Sequence, residues 1–418
     1  MGSSTPRDTQ ILVVGGGIGG LSTAIALRSP GRQVTVLEKS RMLRETGALI
    51  SLQPNASKIV DSWGIESFLA ECKPMSDKAF RIFNTGGKLV NEVKLDKAAF
   101  GADRVLYHRQ DLHTALLKAA TSPDRPGPPV VVRTGCGAAS CDPEAGSVTT
   151  TTGETITADI VIGADGIRSA IRAHVIGEQR DSIPTGLSAY RLLLKTADLQ
   201  GLDTPADLID FKDPVTTMIV GPDKRIIMGP GRDGTLFGVV ALVPDTSLNE
   251  VSASDSWVAE ASLDALLTSY ADFPSWAADI FKRADDVSLW QLRDIDPLPT
   301  WTKGRTILIG DAAHAMLPTQ GQGASQAIED AEALQAYIAD LPAEPSREQV
   351  AGALGRVFTA RYDRASLIQS YSRQQARPGA DAKSGAVNLN PGQFLQYNCR
   401  YAGAKDWVER QKAESGQA

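Results

Sequence analysis

The first forty residues alternate between apolar and polar stretches in a way that predicts a strand, a helix and a second strand. Residues 11–14 form a short apolar run that is typical of a buried parallel strand. Apolar side chains then recur at helical spacing through residues 21–27, and Gly31 ends the predicted helix. Residues 33–37 form the next apolar run, and Glu38 stands at its end.

The turn between this strand and helix carries glycines at the spacing Gly-x-Gly-x-x-Gly. Gly15 permits the turn, Gly17 lets a pyrophosphate approach the backbone, and Gly20 lets the helix pack closely on the strand. The first N–H groups of the helix and its positive dipole end would face the phosphates. Glu38 follows about 20 residues on and can accept hydrogen bonds from a ribose diol. We therefore predict a dinucleotide-binding turn.

A second match to this spacing, at residues 229–234, predicts a different structure. Strand-like runs flank it at residues 225–228 and 235–243. Two such runs joined by a glycine-rich stretch are typical of a hairpin. The chain therefore has one nucleotide fingerprint in a strand–turn–helix context.

Further along the chain, the pattern predicts more α/β elements around a β-rich insertion. A buried strand at residues 159–166 runs into a polar turn, and another at 306–311 ends in an acid. A helix from about Gly323 has its apolar residues on one face and Glu329, Asp330 and Glu332 on the other. The remaining predictions are an extended segment at 47–52, a helix from Pro54, a hairpin at 80–93, a helix opening at 107–112, and edge strands of a small sheet at 130–132 and 147–152.

Between residues 183 and 292 the pattern changes to alternating strand-like runs, which favour an antiparallel sheet. A helix is predicted at residues 256–270 within this part. We interpret it as a second domain inserted into the first.

The composition excludes several classes of protein. A length of 418 residues exceeds one ordinary core and favours two domains. The formal net charge is −6 and no basic stripe is present, so nucleic acid is not expected as a partner. No apolar run approaches a membrane span, no secretory signal precedes residue 11, and the four cysteines fit no zinc spacing. We expect a cytoplasmic protein with no metal site and no membrane span; the oligomeric state stays open.

Three segments together resemble the motifs of one enzyme family. They are the glycine turn with Glu38, the Ala-Asp-Gly at residues 164–166, and residues 310–331, which begin Gly-Asp-Ala-Ala-His. With Arg109, they are similar to the FAD-dependent single-component aromatic hydroxylases, the p-hydroxybenzoate and salicylate hydroxylase-like group. The resemblance spans residues 11–370 in the expected order.

The resemblance implies an α/β fold with a Rossmann-like FAD-binding domain and an inserted antiparallel β-sheet substrate domain. The predicted FAD-binding domain comprises residues 1–75, 100–182 and 290–375. The substrate domain comprises residues 76–99 and 183–289, and residues 376–418 form a C-terminal tail without an assigned role.

The third segment, residues 310–331, is called the late motif below, and it also has a physical rationale for flavin binding. Asp311 ends the predicted strand, where a carboxylate can hold the ribityl hydroxyls, and the helix N-terminus after the glycine-rich loop favours the anion of a reduced flavin. Asp165 is either a direct cofactor contact or a turn acid, and Arg168 and Arg172 either attract nicotinamide-nucleotide phosphates or are solvated. The implied cofactor-binding residues are Gly15, Gly17, Gly20, Glu38, Lys39, Gly47, Ala48, Arg109, Asp165, Asp311, Gly321, Gly323 and Ala324.

On the substrate side, the pair Tyr190–Arg191 resembles a family pair near the flavin face, where an arginine can hold a phenolate. The alternative is an arginine on the solvated face of a strand. Gly229 stands where the family often has a tyrosine, which removes a phenol partner, widens the pocket and favours a substrate larger than salicylate.

The implied activity is a monooxygenase reaction in which NADPH or NADH, bound transiently, reduces FAD, and O2 is used to hydroxylate or epoxidise an electron-rich aromatic or secondary-metabolite substrate. The flavin supplies the chemistry, and the protein supplies position and exclusion of water. The alternatives are a flavin-binding sensor without turnover, a plain NAD dehydrogenase and a flavin halogenase, although the chain lacks the Gly-Trp-x-Trp-x-Ile-Pro signature of the halogenases.

Overall fold

The computed structural model of the chain describes residues 7–41, 48–205, 208–245, 258–260, 262–376 and 387–414. Its strands are β1 (Thr9–Val14), β2 (Arg32–Glu38), β3 (Leu49–Leu52), β4 (Met75–Asp77), β5 (Ala79–Asn84), β6 (Leu89–Lys94), β7 (Arg104–His108), β8 (Val131–Thr134), β9 (Ala138–Asp142), β10 (Ser147–Thr150), β11 (Thr155–Thr157), β12 (Ile160–Gly163), β13 (Ile183–Lys195), β14 (Val215–Val220), β15 (Arg225–Gly231), β16 (Leu236–Pro244), β17 (Val258–Glu260), β18 (Ser288–Asp294), β19 (Thr302–Lys303) and β20 (Thr306–Leu308).

The α-helices are α1 (Ile18–Leu27), α2 (Pro54–Asp61), α3 (Glu66–Ala70), α4 (Lys97–Phe100), α5 (Arg109–Thr121), α6 (Arg172–Ile176), α7 (Leu263–Ser269), α8 (Ser275–Phe281), α9 (Asp311–His314), α10 (Gly323–Ile338), α11 (Arg347–Ala376), α12 (Pro391–Cys399) and α13 (Ala404–Glu414). Short 3-10 helices lie at Thr196–Leu199 and Pro318–Gln320. None of these described helices is long and apolar enough to cross a membrane.

A six-stranded sheet in the order β19-β20-β12-β1-β2-β8 brings the sequence motifs to one edge. Strand β1 lies parallel between β12 and β2, so that Val14 pairs with Gly163 on one side and with Leu37 on the other. Strand β20 is parallel to β12 and pairs Leu308 with Gly163. The carboxyl ends of these strands therefore meet, and the loops that follow them share the crevice where open α/β sheets bind ligands.

The second large sheet has eight strands in the order β17-β18-β13-β16-β15-β14-β5-β6 and is antiparallel except where β14 runs parallel to β5. The hairpin expected at residues 80–93 forms β5 and β6 and adds to the far end of this sheet. The sheet confirms the α/β fold with an antiparallel β-rich part. The exact domain bounds stay a prediction, and β18 continues in this sheet to Asp294, beyond the predicted boundary at 289.

The two faces of the eight-stranded sheet have different coverings. Tyr190, Leu192 and Leu194 of β13 point into a core shared with α7 and α8. Because successive side chains on a strand alternate in direction, Ala189 and Arg191 lie on the opposite face. Ala189 there joins a second apolar cluster that includes Leu317, just before the glycine-rich loop. This second face therefore looks toward the crevice of the parallel sheet.

Several predicted elements are wrong in type or extent. Residues 130–132 contribute to β8, the edge strand of the parallel sheet, and not to a small sheet. Strand β10 is the central strand of its three-stranded sheet and not an edge. The helix expected from residue 107 begins at Arg109, because Tyr107 and His108 still pair with β3. The local apolar pattern cannot report the pairing of β8 with β2 or of β7 with β3, since these partner strands are distant in sequence.

The region around residues 256–270 is not one helix. The described residues form β17 and then α7, which begins after Ser262 because the Ser262 hydroxyl accepts a hydrogen bond from the Ala265 N–H at 3.0 Å. Likewise, residues 229–231 belong to β15, and the hairpin turn lies at Arg232 and Asp233, both with positive φ. Asp and other short polar residues tolerate that conformation better than most.

A buried ion pair fastens the small sheet β3-β7-β4 to the eight-stranded sheet. Arg104 of β7 pairs with the fully buried carboxylate of Asp77 and also donates to Thr216 Oγ1 of β14 at 2.9 Å and to Ser51 Oγ at 3.1 Å. Thr216 Oγ1 in turn donates to Asp77 at 2.7 Å. Removing one partner of such a pair leaves an uncompensated group in the interior.

We predict that Arg104→Met lowers the free energy of unfolding by about 3 kcal/mol, because Asp77 loses its counter-ion while staying buried. Lys78→Met is the matched control: Lys78 is 66% exposed and pairs with Asp213 at 3.0 Å, so its removal should cost less than about 1 kcal/mol. Urea unfolding followed by circular dichroism measures both. Equal stability of the two variants would contradict the anchoring role of Arg104.

Candidate active site

The glycine turn after β1 is held against the end of β12. Gly15 has φ +110°, and a Cβ there would lie 2.2 Å from the carbonyl oxygen of Ala164. A Cβ on Gly20 would lie 1.9 Å from the carbonyl oxygen of Gly15. By contrast, a Cβ on Gly17 would meet nothing within 4 Å, and no side chain caps the start of α1 at this residue. The turn therefore presents open space in front of free helical N–H groups.

Glu38 reaches back to the glycine turn from the end of β2. Its Oε2 accepts a hydrogen bond from the Gly16 N–H at 2.8 Å, and its Oε1 accepts one from the Ser40 N–H at 2.7 Å. The carboxylate is thereby oriented at the mouth of the turn. Lys39 beside it is exposed, and Gly47 lies outside the described residues.

Helix α5 packs against the glycine turn after β1, and its first residue, Arg109, lies in the same region. The Arg109 N–H donates to the carbonyl of Ala48 at 2.8 Å, so these two predicted residues are adjacent. The sequence interpretation missed His113, whose Nε2 lies 2.7 Å from the Gly16 carbonyl oxygen in a buried contact. The signal was present in its spacing, because His113 follows Arg109 by one helical turn on the same face.

The Asp165 carboxylate stabilises the turn after β12 with one oxygen, and its other oxygen has no hydrogen-bond partner among the described residues. Its Oδ2 accepts hydrogen bonds from the N–H groups of Ala170 at 2.7 Å and Ile171 at 3.3 Å. Its Oδ1 is buried and has no hydrogen-bond partner within the described ranges. A buried carboxylate oxygen without a donor is costly, so this atom is a candidate to accept a hydrogen bond from a ligand.

Arg172 is neither solvated nor free to attract phosphates, which corrects both alternatives expected from the sequence. Its side chain is buried and donates to backbone carbonyls of Ile167 at 2.9 Å, Asp311 at 3.1 Å and Ala312 at 2.8 Å. Burial lowers the pKa of the guanidinium. Arg172 thus holds the Asp165–Gly166 turn against the Asp311 motif. Arg168 is exposed.

Asp311 is the first residue of α9 and not the last residue of a strand, because β20 ends at Leu308 and Gly310 turns the chain with φ +55°. Its carboxylate is exposed at the crevice edge. Gly321, with φ +60°, brings the next loop against the start of α2, where an added Cβ would lie 3.1 Å from Gln53 Nε2. Helix α10 then begins at Gly323 without a side-chain cap, and Ala324 follows, partly buried.

Behind this loop lies an ionic network, named here the α10–α11 network, of Glu329, Asp330, Arg361, Arg364 and His314. All five side chains are almost completely buried. The supposed polar face of α10 is therefore internal, and the reason is α11: Arg361 pairs with both acids, and Arg364 bonds Glu329 at 2.7 and 2.8 Å. A sequence hint existed in two arginines three residues apart on one helix face.

The α10–α11 network fixes both ends of the late motif. Asp330 Oδ2 accepts from the Gly310 N–H at 2.9 Å and lies 2.7 Å from His314 Nε2. Asn55 bridges Glu329 Oε1, at 2.6 Å, to Gln322 Oε1 in the glycine-rich loop, at 3.2 Å. Burial alone would raise the pKa of Asp330, but His314 and Arg361 outweigh burial and lower that pKa to about 2.

Arg191 lies on the crevice side of β13. Its Cζ is 4.5 Å from the centroid of the Trp290 ring, and it makes no hydrogen bond or ion pair within the described part of the chain. Burial, and then the charge of Arg109, lower its pKa to about 10. Arg191 therefore stays cationic at neutral pH, close enough to Arg109 to be affected by it, and the solvated-strand alternative is not supported.

We predict an acid-dependent loss of stability that depends on Asp330. Its folded pKa of about 2 lies below the unfolded value of 3.8, so its contribution is full above pH 4 and is lost as pH falls toward 2. The loss should be about 2 kcal/mol. Urea unfolding between pH 5 and pH 2.5 should show this decrease in the free energy of unfolding for the wild type. Asp330→Asn should be less stable at every pH and should lack the decrease. The exposed Asp285→Asn variant should keep the wild-type slope; a wild-type slope in Asp330→Asn would contradict the prediction.

Comparison with known proteins agrees with this geometry. A family model described as an FAD binding domain matches residues 8–349. The chain is 32% identical over 388 residues to hispidin-3-hydroxylase from Neonothopanus nambi, which covers 89% of this chain and 90% of that enzyme. It is also 32% identical over 346 residues to salicylate hydroxylase from Pseudomonas putida, which covers 80% of this chain and 78% of that enzyme.

A solved salicylate hydroxylase substrate complex has a TM-score of 0.75 to this structure at 26% identity, covering 99% of this chain and 96% of that one. These relatives are named as hydroxylases, and others as FAD-dependent monooxygenases, so the sensor, dehydrogenase and halogenase alternatives gain no support. The chain therefore belongs to the FAD-binding-domain family and is a flavoprotein monooxygenase of the aromatic hydroxylase type, with FAD as its cofactor.

Proposed function

We propose that this monooxygenase uses NADPH or NADH and O2 to hydroxylate or epoxidise an electron-rich aromatic substrate that binds as a phenolate. The observation that carries the proposal is the partly buried guanidinium of Arg191, which faces the crevice without an anionic partner in the described residues. A buried cation is stable only with compensation, so an anionic ligand suits this place. The relatives named above as hydroxylases of hispidin and salicylate support an aromatic substrate.

The residues around the crevice fit FAD. The open space at Gly17 and the uncapped N-terminus of α1 suit the pyrophosphate, with Gly15 and Gly20 shaping the turn. The free Oδ1 of Asp165 suits a donor on the cofactor. We assign the ribose to Glu38, with Lys39, Gly47 and Ala48 nearby in sequence, and the phosphate and ribose region to Arg109.

The flavin end of the cofactor is assigned to the late motif. Asp311 would hold the ribityl hydroxyls, and Gly321, Gly323 and Ala324 would lie against the ring at the start of α10. The positive end of that helix stabilises negative charge by about 0.3–1 kcal/mol when exposed and by up to about 2 when partly buried. When bound, FAD supplies the redox chemistry, taking a hydride from the nicotinamide nucleotide and activating O2.

The protein's own residues bind and orient the substrate. Arg191 would favour the ionised form of a phenol, which is the more electron-rich form, and it cannot act as a base because it stays protonated. The apolar cluster of Leu187, Ala189, Leu242, Leu292 and Leu317 on the same face would exclude water from the aromatic ring. The cytoplasmic location expected from the sequence stays a prediction.

Gly229 of β15 lies close to the backbone of the neighbouring strand β14. A Cβ at this position would meet only backbone and the Thr216 side chain, the nearest atom being the Val215 carbonyl oxygen at 3.2 Å. On the same strand, the Leu49 side chain occupies the space beside Gly231, where an added Cβ would lie only 2.6 Å from it. An added Cβ at Gly229 would thus press on the backbone of β14, and the expectation of a substrate larger than salicylate stays a prediction from the sequence.

We predict that Gly17→Val yields protein isolated without FAD, because the valine side chain would fill the space assigned to the pyrophosphate. Absorbance of the purified protein near the flavin bands, after incubation with excess FAD, measures retention. Gly355→Val is the matched control, since its Cβ also meets nothing within 4 Å but lies on α11. Equal FAD content in the two variants would overturn the assignment of the phosphate site.

We predict that Arg191→Lys lowers kcat/KM for a phenolic substrate about tenfold, because lysine loses the planar, forked donor geometry of the guanidinium. Hydrogen peroxide per NAD(P)H consumed should rise, while FAD retention and the unfolding temperature stay at wild-type values. Arg283→Lys, at an exposed position of the same β-rich part, controls for the change of residue type. Unchanged product yield and coupling in Arg191→Lys would remove Arg191 from the mechanism.

A further inference from the structure

The partner that Arg191 does have is the indole of Trp290. In the register of β13 and β18, Ser288 lies opposite Arg191 and Trp290 lies opposite Ala189. Arg191 and Trp290 are therefore diagonal neighbours on the crevice face, a spacing that long and aromatic side chains can bridge. The guanidinium carbon lies 4.5 Å from the ring centroid, within the range of a cation–π contact.

The indole is itself held in place. Its Nε1 donates a hydrogen bond to Ser288 Oγ at 3.1 Å. Ala189, the residue directly opposite Trp290, is small and fully buried, so it does not compete with the ring for the surface of the sheet. The orientation of Trp290 is thus set before any ligand binds, and the Arg191 guanidinium carbon lies over its ring.

From this geometry, we propose that Trp290 is a positioning residue that fixes the Arg191 guanidinium to receive the oxyanion of an aromatic phenolate. The inference rests on the proposed function and deepens it by naming how the anion is selected. Arg191 makes no hydrogen bond within the described residues, so its N–H groups remain available to a ligand while the guanidinium carbon lies over the indole.

The contact explains how Arg191 can be buried as a cation without a carboxylate. The aromatic ring compensates part of the lost hydration but does not neutralise the charge. Burial and the charge of Arg109 lower the Arg191 pKa only to about 10, so Arg191 stays cationic at neutral pH and attracts an incoming anion. A neutral aromatic ligand of the same size gains no such charge–charge attraction. Selection should therefore act on the ionised form of the phenol, and Trp290 should affect ionised ligands far more than neutral ones.

The test measures ligand binding to the oxidised holoenzyme, without NAD(P)H. The probe is 4-nitrophenol, whose ionised and neutral forms differ in absorbance, titrated at several pH values to give the dissociation constant and the bound pKa. Trp290→Leu should weaken 4-nitrophenolate binding about tenfold and raise the bound pKa, because the guanidinium loses its fixed orientation. Trp290→Phe keeps an aromatic face and should stay within about threefold of wild type. Binding of the neutral analogue 4-nitroanisole should change less than about twofold in either variant.

Four results would overturn the positioning role. The first is that wild type does not bind 4-nitrophenolate, and the second is that wild type and Trp290→Leu bind it with equal affinity. The third is that Trp290→Leu loses affinity equally for 4-nitrophenolate and for 4-nitroanisole. The fourth is that Trp290→Phe binds 4-nitrophenolate as weakly as Trp290→Leu does. FAD content and unfolding temperature of each variant confirm that the fold is intact. Turnover is assayed separately: wild type that binds 4-nitrophenolate but consumes no NAD(P)H with any phenol would refute the proposed function and leave the role of Trp290 standing.

Discussion

The buried ionic network between α10 and α11 is the constraint on which the cofactor crevice depends. Glu329 and Asp330 are adjacent on α10, and in an apolar interior they are tolerated only because Arg361 and Arg364 face them from α11. The remaining acceptor capacity of the two acids is used by Asn55, His314 and the Gly310 N–H. Because the charged groups of both acids and both arginines are paired, the network specifies a single arrangement: a displacement would leave a charge unpaired in low dielectric.

The same network joins the cofactor crevice to the C-terminal helices. Arg364 donates to the carbonyls of Tyr397 and Asn398, both at 3.0 Å. Glu332, one turn beyond Glu329 on α10, accepts hydrogen bonds from Tyr401 Oη and the Ala404 N–H, both at 2.9 Å. The segment that followed the recognisable motifs without an assigned role therefore packs against the rear of the late motif. The described residues of this segment therefore support α10 from the side away from the glycine-rich loop.

On the other side of the crevice lies Arg191, a charge that has no anionic partner among the residues that the structure describes. The cofactor side offers backbone N–H groups, helix ends and a free carboxylate oxygen at Asp165, which suit a large anionic dinucleotide. The substrate side offers Arg191 stacked on Trp290 above an apolar cluster. In the proposed function the two sides would divide the work: the parallel sheet would bind the cofactor through backbone N–H groups and helix ends, and the antiparallel sheet would select the substrate through Arg191.

The sequence by itself determined the βαβ unit at Gly15–Glu38, the antiparallel insertion and helix α10, because these follow from local apolar periodicity and from glycines whose backbone demands are local. The chain-order agreement of three motifs also determined the family. Tertiary structure alone decided that Arg172 binds carbonyls, that His113 supports the glycine turn, that the acids of α10 are buried, and that Arg191 stacks on Trp290. Each of these depends on which distant element covers a polar side chain, and neither periodicity nor spacing along the chain carries that information.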